Sequence, residues 1–200
     1  MPKRLFIVIG LIAVGAAYYV VHRQRSAGAG NAVVLRAGRS LPAPEFSLPT
    51  LAGGNLDLAS YKGKVILLDF WATWCEPCKE EIPQFLELQN KYRDQGLQII
   101  GVSMDDEPGP VRDFYQRFKM NYPVVMGNAK TAELYGGVLG LPINFLIGRD
   151  GLIYKKHIGS TDIAVFEGEV IGLLRKSADS TSPAARVNDV IWVAGAKERS

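Results

Sequence analysis

Cysteine and histidine are both scarce in this chain. Its 200 residues contain two cysteines, Cys75 and Cys78, and two histidines, His22 and His157. A structural metal site usually takes four ligands, and no second ligand pair accompanies the cysteines, so no metal is expected. A disulfide between residues three apart closes too short a loop to remove much chain entropy, which argues against a purely structural bridge. Nucleotide fingerprints are missing too. No P-loop occurs, and Gly136, Gly137 and Gly140 neither follow a strand nor open a helix. No cofactor is expected beyond the cysteine pair itself. Acidic residues are absent from residues 1–41, which carry six of the 23 Lys/Arg and leave 17 basic against 20 acidic residues in the remainder. The net charge of +3 therefore belongs to the N-terminal segment, and nucleic acid is not an expected partner.

What is present is an apolar content of 48%, ample for one core, and one stretch dense in chemistry. Val65 to Trp71 is a nearly unbroken apolar run that reads as a central strand. A short Ala72-Thr73-Trp74 bend leads into Cys75-Glu76-Pro77-Cys78, and a helical pattern follows to about Gln95, with Ile82, Phe85, Leu86, Leu88 and Tyr92 toward the core. Residues at i and i+3 share a helix face, which brings the two sulfurs within bonding reach. Pro77 falls in the first turn, where its missing N–H costs nothing. Cys75 is left at the helix mouth, near free N–H donors and the positive end of the helix dipole. A thiolate there should titrate below the free value of roughly 8.5, with Cys78 one turn deeper as its resolving partner.

The motif D-F-W-A-T-W-C-E-P-C-K, with L-P-I-N-F-L-I some sixty residues later, resembles the thioredoxin fold. More narrowly, it is similar to the membrane-tethered TlpA/ResA/DsbE group of extracytoplasmic thiol–disulfide oxidoreductases. The resemblance spans roughly Pro42 to Lys176. It implies an α/β fold with a central mixed sheet, helices on both faces and an N-terminal hairpin. It also implies that Pro142 is a cis proline packed against the cysteines, and that the backbone of Leu141 can pair with an extended substrate segment. Trp74, Glu76 and Pro77 would frame the docking surface. Asp69 invites two readings: an acid near a strand end reaching solvent, or, as the resemblance implies, a buried acid exchanging a proton with Cys78. Members of the ResA branch often lack an acid there, so the sequence mixes features. Glu81, at i+3 from Cys78, shares the cysteine face, whereas Glu80 does not. It is either a solvated surface acid or, at the ResA-like offset, a group that tunes the thiols.

Leu5 to Val21 carries no charge and spans roughly 25 Å as a helix. It is expected to be an N-terminal transmembrane anchor (1–22), the domain lying outside the cell membrane on the periplasmic or extracytoplasmic side. A signal peptide cleaved at Ala27-Gly28-Ala29 is the alternative. Residues 23–41 read as a tether, 42–176 as the thioredoxin-like domain and 177–200 as a tail. Phe46 to Leu51 and Asn55 to Leu58 flank Gly53-Gly54 as a hairpin. Leu97 to Val102 reads as a second core strand. Val111, Phe114, Tyr115 and Phe118 form the apolar stripe of a helix that begins near Asp105-Asp106-Glu107-Pro108. A short strand (Tyr122 to Met126), a short helix (Thr131 to Tyr135), a hairpin turning at Asp150-Gly151 and a last helix through Ile163, Phe166 and Val170 complete the domain. His157 is expected to be structural.

The expected activity is reduction of protein disulfides through Cys75 and Cys78. By resemblance, the substrate is apocytochrome c before haem attachment and the electron donor is a membrane thiol transporter. The alternatives are a general envelope disulfide reductase, a metal-delivery module and a thiol peroxidase. The peroxidase pattern would require proline at Leu68 and threonine at Ala72.

Overall fold

The computed structural model describes residues 41–180. The expected anchor, the tether up to residue 40, the candidate cleavage site and residues 181–200 of the tail lie outside the described residues. Among the described residues no helix is long and apolar enough to cross a membrane.

Strand β4 (Val65–Trp71) is the axis of the molecule. All seven of its residues are buried, as a run that alternates neither in polarity nor in exposure requires. It pairs in parallel with β5 (Leu97–Ser103) and antiparallel with β7 (Ile143–Ile147). With β1 (Leu41–Pro42), β6 (Val124–Met126) and β8 (Leu152–Ile158), these strands form one mixed sheet in the order β1-β8-β7-β4-β5-β6. Leu41, read as the end of the tether, pairs with Ile153 as part of β1. A separate hairpin of β2 (Ser47–Pro49) and β3 (Asn55–Asp57) turns at Gly53 and Gly54, whose positive φ values only glycine adopts without strain.

The parallel β4–β5 pair needs a crossover, supplied by α1 (Glu76–Tyr92). Its buried residues, Cys78, Glu81, Ile82, Phe85, Leu88, Gln89 and Tyr92, recur at three- and four-residue spacing and form the stripe laid on the sheet. The helix ends through a 3-10 turn at Gly96, where φ is 102° and a Cβ would stand 2.9 Å from the Arg149 guanidinium. The remaining helices are α2 (Pro108–Phe118), α3 (Ala129–Leu134) and α4 (Ile163–Ser180), the last running four residues past the expected domain boundary.

Alternation along β4 divides the core. Val65, Leu67 and Trp71 face one cluster, built with α1, α2 and α4. Ile66, Leu68 and Phe70 face the other, closed by the hairpin, a 3-10 turn at Leu58–Tyr61 and Tyr135 just after α3. Helices thus flank both faces, as expected, but unequally. The three long ones share one face, because the hairpin already covers most of the other.

Candidate active site

The site lies where β4 ends and α1 begins. Backbone bonds fix the bend between them: Met104 N–H donates to the Trp71 carbonyl at 2.8 Å, and Cys75 N–H donates to Ala72 at 3.1 Å. Asp105 clamps the same turn. Its carboxylate accepts from the Thr73 backbone N–H at 2.9 Å, from the Ser103 hydroxyl at 2.8 Å and from the Thr73 hydroxyl. In the sequence Asp105 reads only as part of an acidic helix start. What ties it to residue 73, across 32 positions, is the parallel pairing of β4 with β5, which brings the two strand ends together.

Cys75 and Cys78 are joined as a disulfide, with Cα atoms 5.3 Å apart. Cys75 is the N-cap of α1, and its Sγ accepts from the Cys78 backbone N–H at 3.3 Å. The helix mouth thus points an N–H donor and its positive dipole end at this sulfur. Cys75 is 5% exposed and Cys78 1%, so Cys78 is the deeper of the two, as the spacing predicts. Pro77 stands in the first turn. Glu76 is exposed and pairs with Lys79 at 2.9 Å. Trp74, next to Cys75, is 67% exposed, an unusual position for so large an apolar side chain.

The Leu141–Pro142 bond is cis, as the resemblance implies. The Pro142 carbonyl accepts from Gly159 N–H at 2.9 Å, which ties the loop to the end of β8, and Leu141 packs against both clusters.

Two acids lie beneath this surface. Asp69 is 2% exposed, which removes the reading in which it reaches solvent. Burial, and next the charge of Glu81, push its carboxyl well above the usual range. Glu81 is also buried, not a solvated surface acid. Its Oε1 accepts from Thr161 N–H at 2.9 Å. Burial raises its pKa, opposed first by the Thr161 N–H. Asp69 Oδ1, Glu81 Oε2 and both side-chain amide atoms of Asn144 are buried without a hydrogen-bond partner among the described residues. Asn144 and Thr161 were not singled out as site residues in the sequence, because their place depends on strand register and loop position. His157 Nε2 lies 2.8 Å from Glu169 Oε2.

The arrangement can make and break one disulfide. Comparison with known proteins points the same way. Residues 40–156 match the AhpC/TSA family. The chain is similar to the thiol-disulfide oxidoreductase ResA of Bacillus thuringiensis subsp. konkukian, at 35% identity over 58% of this chain and 68% of that one. It is 31% identical to the Bacillus subtilis ResA, over 79% of this chain and 87% of that one. In three dimensions it is similar to a thiol:disulfide interchange protein DsbE from Chlorobium tepidum, with a TM-score of 0.65 and 32% identity, covering 70% of this chain and 99% of that one.

Proposed function

Since this chain belongs to the AhpC/TSA family and is a thioredoxin-like thiol-disulfide oxidoreductase of the ResA/DsbE type, we propose that it reduces protein disulfides through Cys75 as nucleophile and Cys78 as resolving thiol. The observation that carries this reading is the position of the Cys75–Cys78 pair at the mouth of α1, with Cys75 as N-cap and Cys78 one turn deeper. In the reduced protein the Cys75 thiolate attacks one sulfur of a substrate disulfide, and the other substrate sulfur leaves as a thiolate. Cys78 then gives its proton to a buried carboxylate, Glu81 or Asp69, and attacks Cys75 Sγ. The second substrate thiolate departs, and Cys75–Cys78 is left oxidised. Two electrons pass from the enzyme dithiol to the substrate, and a reduced thiol donor must return them before the next cycle.

Exposed Trp74, together with Glu76, Pro77, Leu141 and Pro142, forms the surface on which an extended substrate segment docks. The uncharged run at Leu5 to Val21 anchors the domain on the extracytoplasmic side, where disulfides persist. Cytochrome c maturation is the process served, with the C-x-x-C-H cysteines of apocytochrome c as substrate and a membrane thiol donor upstream. Peroxidase chemistry is not favoured: Leu68 and Ala72 occupy the positions where its motif needs proline and threonine.

The test is to express the Cys78→Ser variant in the native host, trap its mixed disulfides and identify what is held. Apocytochrome c among the captured chains supports the specific role, and a broad spread of envelope proteins replaces it with general reduction. Capture of nothing, with peroxide consumed instead, overturns the reductase reading.

A further inference from the structure

The end of the sheet remote from the disulfide gathers cations. Strand β4 climbs from Val65 to Trp71, about 20 Å at the rise of a strand, so Val65 marks the pole opposite the mouth of α1. Three connections meet there. Val65 N–H donates to the Gly96 carbonyl at 3.0 Å, and Gly63 N–H to the Arg149 carbonyl at 3.3 Å. The Arg149 guanidinium then bridges the other two loops, donating to the Gly63 carbonyl at 3.1 Å and to the Gln95 carbonyl at 2.7 Å. Further N–H donors of the group remain, and no carboxylate pairs with it among the described residues.

Helix α4 brings a second guanidinium to the same place. It descends from Ile163, near the Thr161 contact with Glu81, and its Ile171 and Arg175 line a cavity of about 450 Å³ together with Tyr92, Gln95 and Arg149. Arg175 is exposed, as is Lys64 just before β4, and neither has an ion-pair partner among the described residues. Lys176 donates to the Tyr154 hydroxyl at 2.9 Å, and that hydroxyl donates to Asp150 in the β7–β8 turn at 2.7 Å. The other cations nearby are matched: Lys62 by Glu45 at 3.4 Å, Arg93 by Asp94 at 3.7 Å and Lys91 by Glu167 at 2.6 Å. Lys64, Arg149, Arg175 and Lys176 therefore leave this pole positive.

Two guanidinium groups beside an apolar wall, in a cavity the size of a small ligand, suit a phosphodiester with a hydrocarbon stem. Arg149 is already held by two carbonyls, so little side-chain freedom is left to lose. The course of the chain supplies the source of that phosphate. The described chain enters at Leu41, paired with Ile153 just after the β7–β8 turn, and so at this same pole. The tether before it carries Arg23, Arg25, Arg36 and Arg39 and no acid. A flexible chain of that length reaches about 25 Å, which keeps headgroups around an anchor at Leu5 to Val21 at high effective concentration.

We propose that this basic pole is a membrane-docking surface, its cavity between Arg149 and Arg175 receiving the phosphodiester of an anionic phospholipid. Docked so, the domain turns Cys75 away from the bilayer and toward soluble protein disulfides. The proposal goes beyond the functional reading and rests on it for the anchor alone.

The test places the isotope-labelled full chain in nanodiscs of phosphatidylcholine, with or without phosphatidylglycerol, each doped with a gadolinium-chelating lipid. Broadening of backbone amides then reports nearness to the headgroups. With phosphatidylglycerol, Gly63, Gly96 and Gly151 broaden more than Thr73 and Trp74, and added salt reverses the difference. In Lys64→Gln/Arg175→Gln the ratio of docked to undocked chain falls about tenfold or more. Should that variant fail to fold, the salt series on the unaltered chain decides. Equal broadening in the two lipid mixtures, or stronger broadening at Trp74, overturns the proposal. So does an acidic peptide or glycerol phosphate that perturbs Gly96 where phosphatidylglycerol does not. A chain stripped from membranes by alkaline carbonate sinks the anchor; its flotation with phosphatidylglycerol vesicles and not phosphatidylcholine ones still supports the pole, and failure to float overturns it. None of these measurements reads disulfide reduction, so loss of that activity is judged separately.

Discussion

The two faces of strand β4 are made from alternate residues of the same seven, yet they differ in kind. On one side Ile66, Leu68 and Phe70 enter a cluster whose centre is aromatic: Phe70, Tyr135 and Phe145 have ring centroids 5.0 to 5.9 Å apart. Its one buried hydroxyl is satisfied, Tyr135 donating to the Pro44 carbonyl at 2.8 Å. On the other side Asp69 stands between Leu67 and Trp71, and the neighbouring strands and helices add Asn144, Glu81 and both cysteines. Several polar atoms on that side have no hydrogen-bond partner among the described residues. The first face stabilises the fold, and the second gives up some of that stabilisation to hold groups whose protonation can change. Burial of unpaired polar groups is costly, and here the cost falls beside the redox centre.

The sharpest way to break the comparison is to damage the apolar face alone. Phe70→Ala removes a fully buried ring and should lower unfolding free energy by about 3–5 kcal/mol. Its disulfide reductase activity per folded molecule should stay near wild type, as urea titration paired with turnover will report. Damage at the site's own clamp should do the reverse in proportion. Asp105→Ala removes the acceptor that holds Thr73 and Ser103 and should cost about 2 kcal/mol. It should slow substrate reduction more than that loss of stability explains, because the bend that presents Trp74 and Cys75 is freed.

Asp69→Asn tests the cost of the polar face, and its sign depends on pH. The Asp69 carboxyl titrates higher in the folded chain than in the unfolded one. Below about pH 4, the unfolded value, both states hold the proton and the variant gains little. As pH rises toward the folded midpoint, the native chain keeps a proton that the unfolded chain has released, so wild-type stability falls. The variant should therefore become relatively more stable, by about 1.4 kcal/mol for each pH unit crossed, and level off above that midpoint. Denaturation across a pH series measures this. The smallest effect is expected at Tyr135→Phe, which loses one part-buried hydrogen bond worth about 1 kcal/mol at any pH between 5 and 8.

Much of the catalytic face was legible in the sequence, because its signals are local. An apolar run ending at a bend, Pro77 in a first turn and two cysteines one turn apart specify β4, the mouth of α1 and the disulfide without long-range information. The cis bond at Pro142 came from resemblance, since a proline opening a strand is otherwise unremarked. What escaped depends on register. Nothing near Asn144 says that it will lie opposite Asp69, 75 positions earlier, or that His157 will continue the row. Asp105 was hidden for the same reason, as its partners arrive through the parallel pairing of β4 with β5. The unequal covering of the sheet was also unreadable, because which face a hairpin closes depends on how the chain enters the sheet.

The central claim is that the two sulfurs are unequal, Cys75 being activated at the helix mouth and Cys78 held back beneath it. The direct measurement is the alkylation rate of each cysteine in the reduced protein across pH, read site by site by mass spectrometry. Faster labelling of Cys75 at every pH, with the difference greatest on the acid side, is the result this account predicts. Equal rates at the two positions, or faster labelling of Cys78, would contradict it.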